Sequence, residues 1–291
     1  MMNLTLPLSD TLSLIHAPAI AEGKTALMAK GLFLCEQDRI HAGESAGFGL
    51  PVWKTGQHTV FPSLLSVRVL TPHVIEKVYR LDRVAMWRIC GINMPRIFRA
   101  AMEKITAIYM CRPARQRSLL SIRDTLCALF RIRSAMIPSR SHGRCRVLYA
   151  VAAKQLNVTV DGRKLRGRGE LILLNEVSGV SFTRLHIGRR ILEGSDIPAW
   201  QPCTFETVFV NPATGLGFAL IVPPYAEPAR PRLACGREIA RGLNWAGLAL
   251  TTSQRRFSYG VNFQHILANY ADGPWNNDEN TLSAPMDTTD S

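Results

Sequence analysis

From Cys145 to His265 the chain is a succession of short apolar runs broken by turn residues, and this texture most limits what it can fold into. RVLYAVA, NVTV, ELILLNEV, VSFTRLHI, TFETVFV, LGFALIVPP, LNWAGLALTT and RFSYGVNFQH carry the β-branched and aromatic residues that fit a pleated surface. Between them lie SG, EGSD, NPATG and PARP turns, and Asp161-Gly162, a strong hairpin signal between apolar runs. So many short runs at close spacing predict a mainly β (α+β) protein, an antiparallel β-sandwich or closed β-barrel.

The amino-terminal half is less uniform. Residues 1–23 read as an extended lead-in. Residues 36–62, EQDRIHAGESAGFGLPVWKTGQHTVFP, hold Gly43, Gly47, Gly49 and Gly56 and lead into two strand candidates, LPVWK and HTVFPSLLSVRVL. Glycine reaches positive φ and admits close backbone approach, so this stretch is read as a ligand-bearing turn. HVIEKVYRLDRVAMWRI alternates loosely at Val74, Glu76, Val78 and Arg80, a pattern open to strand or helix. Asn93 as a cap, Pro95 in a first turn, and Ile97, Phe98, Ala101, Met102, Ile105 and Ile108 at helical spacing predict a helix. A second helix is predicted near 118–132, giving a helical hairpin inserted at about 93–133. One β-rich domain is expected over 24–271, because the amino-terminal strands are too few to form a stable sheet alone. The acidic, polar segment 272–291 is expected to be disordered.

Charge is concentrated. The formal net charge is +13, yet residues 77–168 hold 21 Lys/Arg against 4 Asp/Glu, a net of +17, which leaves −4 elsewhere. A field of that sign favours an anionic partner, nucleic acid or an acidic membrane surface. The same residues also suit a solvated face or a subunit contact. The seven cysteines have no C-x-x-C spacing, which points to free thiols and a cytoplasmic setting. No run approaches the 18 or so apolar residues of a membrane span.

No phosphate loop, dinucleotide fingerprint, H-E-x-x-H or G-x-S-x-G occurs, and the histidines lack the spacing of a metal site, so no cofactor or metal is expected. Three clusters remain as candidates. Glu44 lies with His41, His58 and Trp53 around the Gly-rich turn; Asn175-Glu176 interrupts the apolar run ELILLNEV; Arg237-Glu238 precede Asn244-Trp245. A polar pair in a buried strand is costly unless hydrogen-bonded or facing a cleft. Glu44, Glu176 and Glu238 are candidate acid–base residues if the chain is an enzyme, with Arg237, Asn175 and Asn244 positioning and Trp53, His58 and Trp245 contacting ligand. The functional expectation is a carbohydrate-like small-molecule ligand held in a polar, aromatic-lined cleft. The alternative is a binding module that uses 77–168 for an anionic partner.

Overall fold

The computed structural model describes residues 4–16, 30–42, 45–56, 58–89, 92–93, 132–223, 230–240 and 243–265. These residues are mainly antiparallel β-structure, with a single 3-10 turn at Gly194–Asp196 and no α-helix among them. The expected lead-in contributes two strands, β1 (Leu4–Pro7) and β2 (Leu12–His16), which join β3 (Phe33–Glu36) and β4 (Arg39–Ile40) in a four-stranded sheet.

The remaining strands form one 16-stranded sheet. They are β5 (Phe48–Thr55), β6 (His58–Thr71), β7 (Val74–Ile89), β8 (Ile92–Asn93), β9 (Ile132–Pro138), β10 (Arg144–Ala152), β11 (Gln155–Asp161) and β12 (Glu170–Val177). They continue as β13 (Arg184–Ile187), β14 (Arg190–Glu193), β15 (Gln201–Cys203), β16 (Thr207–Val210), β17 (Leu216–Ile221), β18 (Arg232–Ala240), β19 (Leu243–Thr252) and β20 (Arg256–His265). The path runs β14-β13-β16-β17-β20-β11-β10-β7-β6-β5-β12-β19-β18-β15, with β8 and β9 added along β7. Its two end strands do not pair with each other, so the sheet is open and the expected closed barrel is not formed.

Alternation explains how this sheet buries its core. In β11, Leu156, Val158 and Val160 are fully buried while Asn157 and Thr159 are partly exposed. The sheet folds back on itself. Phe48 of β5 meets Phe218 of β17 at 5.3 Å and Phe263 of β20 at 5.2 Å, although those strands are several places away along the path. The small sheet joins the same core through Leu6, Leu14, Leu32 and Leu34, and Leu32 bridges directly to Phe48. The two halves of the chain therefore share one body of apolar side chains.

The ambiguous stretch 74–89 is a strand. Ile75, Lys77, Tyr79 and Leu81 face inward, and the alternating set noted in the sequence faces outward. Residues 94–131 of the expected helical hairpin lie outside the described residues. Its described ends correct the expectation. Asn93, read as a helix cap, pairs with Arg88 in β8, and Ile132 pairs with Ile89 in β9. The backbone hydrogen bonds at both ends go sideways into β7 rather than along a helix. The expected tail, 272–291, is outside the described residues as well. No helix among the described residues is long and apolar enough to cross a membrane.

Candidate binding cleft

The outer face of β12, β19 and β18 is built of cross-strand rows. Ile172, Thr251 and Arg232 form one row, Leu174, Ala249 and Ala234 the next, and Glu176, Gly247 and Gly236 a third. The two glycines leave a trough in this last row, and the segment 198–200 fills part of it. The Arg237 N–H donates to Pro198 O at 3.1 Å, and a Cβ on Gly236 would come within 2.2 Å of the Trp200 nitrogen. Glycine is required there because backbone lies against backbone.

Trp200 follows from this packing. Its φ is +33°, an outlying conformation for a bulky L-residue that the fold must hold in place. Its ring stacks on Trp245 with centroids 4.5 Å apart and planes 19° from parallel. Trp245 is buried beneath it, whereas Trp200 is partly exposed.

Trp200 forms one wall of a cleft of about 730 Å³. Ile172, Ala234 and Thr251 make its floor, and Phe205 is a second aromatic residue in its lining. Charged groups surround it. Arg232 donates to Glu170, Lys54 and Glu206 line the edge, and the Arg230 guanidinium lies 5.8 Å from the Phe205 ring centre. An apolar floor with two aromatic rings and a charged edge suits a ligand that is flat on one side and hydrogen-bonding around its perimeter.

The sequence-chosen residues distribute unevenly around this cleft. Trp245 supports Trp200, and Glu238 is opposite Trp245 in the β18–β19 register, on the same sheet face as Glu176. Arg237 points the other way. Its Nε donates to Gly179 O at 2.8 Å and its Nη1 to Gly194 O at 2.7 Å, tying two loops to the edge of the sheet. Asn244 Oδ1 accepts from the Val180 N–H at 3.0 Å, so it holds the same loop.

Asn175 lies inside the core, away from the cleft. Its Oδ1 accepts from the Gly49 N–H at 3.2 Å and from the Tyr259 hydroxyl at 2.9 Å. Its Nδ2 donates to Leu173 O at 3.2 Å and to Leu248 O at 3.5 Å. Glu176 is buried on the outer face. Its Oε2 accepts from the Ala46 N–H at 2.7 Å, and burial pushes its carboxyl up to about 7 against that stabilising hydrogen bond.

Glu44 lies outside the described residues, although Ala46, two positions on, reaches Glu176. His41 is buried against Glu36 at 3.1 Å and edge-on to Phe182, and burial lowers its affinity for a proton. Trp53 is fully buried under the Arg255 guanidinium, 4.1 Å from its ring centre, and His58 is exposed at the start of β6. The structure thus brings Glu176, Glu238 and Trp245 to one face and leaves Trp53, His58 and Asn175 elsewhere.

The cleft residues the sequence reading passed over are Trp200, Phe205, Lys54, Glu170 and Arg232. One signal was present. In IPAWQPCTF two aromatic residues sit among turn-forming prolines, a placement that exposes rings rather than burying them.

No protein-family model matches the chain, and no curated protein matches it. Among solved structures, the chain is similar to the Slr1438 protein from Synechocystis sp. PCC 6803, at 7% sequence identity. The likeness covers 91% of this chain and 96% of that one, with a TM-score of 0.38. A resemblance of that degree assigns neither a family nor an activity.

Proposed function

We propose that the protein binds a small carbohydrate-like molecule in the cleft beside Trp200. The observation that carries this reading is Trp200 itself, a partly exposed ring in an outlying backbone conformation, backed by a second tryptophan. Non-Gly residues at such angles persist where the surroundings over-determine them, and they concentrate at ligand sites. Stacking supplies an apolar face for a sugar ring, and Lys54, Glu170 and Arg232 supply the charged hydrogen-bonding groups its hydroxyls require. Binding, rather than acid–base chemistry, is what the lining supports. Glu170 is engaged by Arg232, and Glu176 is buried outside the lining.

The test is titration calorimetry of the full chain with a panel of neutral and acidic mono- and disaccharides. We expect at least one saccharide to bind, and Trp200→Ala to weaken it about 10- to 100-fold, or roughly 1.4–2.8 kcal/mol. The Glu170→Gln/Arg232→Gln pair should weaken it without lowering the melting temperature. Binding untouched by Trp200→Ala, or no saccharide bound at millimolar concentration, would overturn the proposal.

A further inference from the structure

At one end of β10, β11 and β20, two loops from distant parts of the chain lie side by side. Gly143 bridges to Leu165, and the Arg166 N–H donates to His142 O at 2.7 Å, joining residues 139–144 to residues 162–169. The second loop is pinned from beneath. The Gly162 N–H donates to Arg255 O at 2.6 Å, Arg255 Nη2 donates to Gly167 O at 2.6 Å, and Thr55 Oγ1 donates to Arg168 O at 3.1 Å. Leu165 is buried, while Arg140, Arg144, Lys164, Arg166 and Arg168 are exposed. Arg256 joins them, because β20 sets it opposite Asp161 of β11.

The nearby acids are already taken. Asp161 accepts from Arg163 at 3.0 and 2.8 Å, Glu76 pairs with Arg146 at 3.2 Å, and Glu170 accepts from Arg232. Among the described residues, Arg140, Arg144, Lys164, Arg166, Arg168 and Arg256 have no acidic partner. Like charges fixed on adjoining, anchored loops raise the local potential, and a polyanion relieves it.

We propose that this end of the molecule is a nucleic-acid binding surface that contacts the phosphate backbone. Arginine dominates the patch, and its planar fork matches phosphate with two parallel hydrogen bonds. The exposed large apolar side chains among the described residues include Leu65, Val69, Leu70, Val180 and Ile239, and none lies in these loops. An acyl layer therefore has nothing here to receive, which argues against a membrane. The loops hold no Phe, Tyr or Trp for bases to stack on, so recognition is mainly electrostatic and indifferent to sequence.

The experiment is fluorescence anisotropy with the full chain and labelled strands of about 20 nucleotides, single-stranded and duplex, between about 50 and 200 mM salt. If four to six phosphates are neutralised, the logarithm of affinity should fall against the logarithm of salt with a slope of about −3 to −5. Affinity should then drop about 60- to 1,000-fold over that range, alike for unrelated sequences. R144Q/R166Q/R168Q should lower the slope by about 2 to 3, and K164Q/R166Q by about 1 to 2, with unchanged circular dichroism. A slope near zero, or variants that bind as the parent does, would overturn the proposal. Tighter binding to phosphatidylserine vesicles or to polyglutamate than to the oligonucleotides would overturn it as well.

Discussion

Glu176 has a single backbone N–H against one carboxylate oxygen and is otherwise enclosed, so folding favours its protonated form. With its proton affinity raised from about 4.5 to about 7, the native state holds a proton there that the unfolded chain releases. Stability is therefore highest below the unfolded value, falls as pH rises through this window, and levels off above about 7. That gap corresponds to roughly 3 kcal/mol. Glu176→Gln keeps an oxygen acceptor for Ala46 and cannot ionise. Urea unfolding should find it similar to the parent near pH 4.5 and more stable by up to roughly 3 kcal/mol at pH 8. Equal differences at both pH values would mean that the carboxyl is solvated. Gly49 is a second residue-scale constraint. Its φ is +72° and a Cβ would lie 2.5 Å from the Tyr149 ring, so Gly49→Ala should cost about 2 kcal/mol or more in the same assay.

β7 places an amine among hydrogen-bond acceptors. Lys77 is fully buried, and its Nζ donates to Gly31 O at 2.6 Å and Lys30 O at 3.0 Å and meets His16 Nδ1 at 3.2 Å. Burial drives its proton affinity well down, and burial together with the Lys77 amine lowers that of His16 to about 4. Three polar partners around Nζ offset the cost of burying the amine. Beside it, the Tyr79 and Tyr149 hydroxyls are 3.0 Å apart, with Lys30 O and Gly49 O at 2.8 and 2.9 Å. Two hydroxyl protons are shared among these three contacts, which tie β7, β10, β5 and the residue before Gly31 together. Lys77→Met would take a donor from Gly31 O and from Lys30 O, which keeps only Tyr79, and we expect a loss of about 1–3 kcal/mol in urea unfolding. Because burial lowers the proton affinity of the folded amine below that of the unfolded one, parental stability should also rise with pH toward about 10, and the variant should lack that rise. This strand also shows why the periodicity of 74–89 left strand and helix both open. Its inward row includes Lys77, so hydropathy alternation was blurred although the backbone alternation was regular.

At the scale of the molecule, the open sheet folds over one core and divides its outer surface into an aromatic cleft and a basic end. Asn175 stitches the fold across that core, since three of its four hydrogen bonds join β12 to β5, β19 and β20. Asn175→Leu should lower stability by about 2–4 kcal/mol and leave saccharide affinity unchanged in calorimetry, which separates it from the cleft residues.

The β character and the antiparallel hairpins were legible locally. Alternation, turn residues and strand number depend on near neighbours and on how much apolar surface a short sheet leaves bare. Closure was not legible, because whether β14 meets β15 depends on twist and curvature accumulated over the whole path. Nor was the environment of each polar residue. Asn175 and Glu176 are adjacent in sequence, yet successive strand positions face opposite sides, sending one into the core and the other to the outer face. Sequence alone determined that the apolar runs from Arg146 onward had to be strands. Only the tertiary structure decided that Trp200 stands over Gly236 and that Arg144 and Arg166 share one end, because such contacts arise when remote segments pack together.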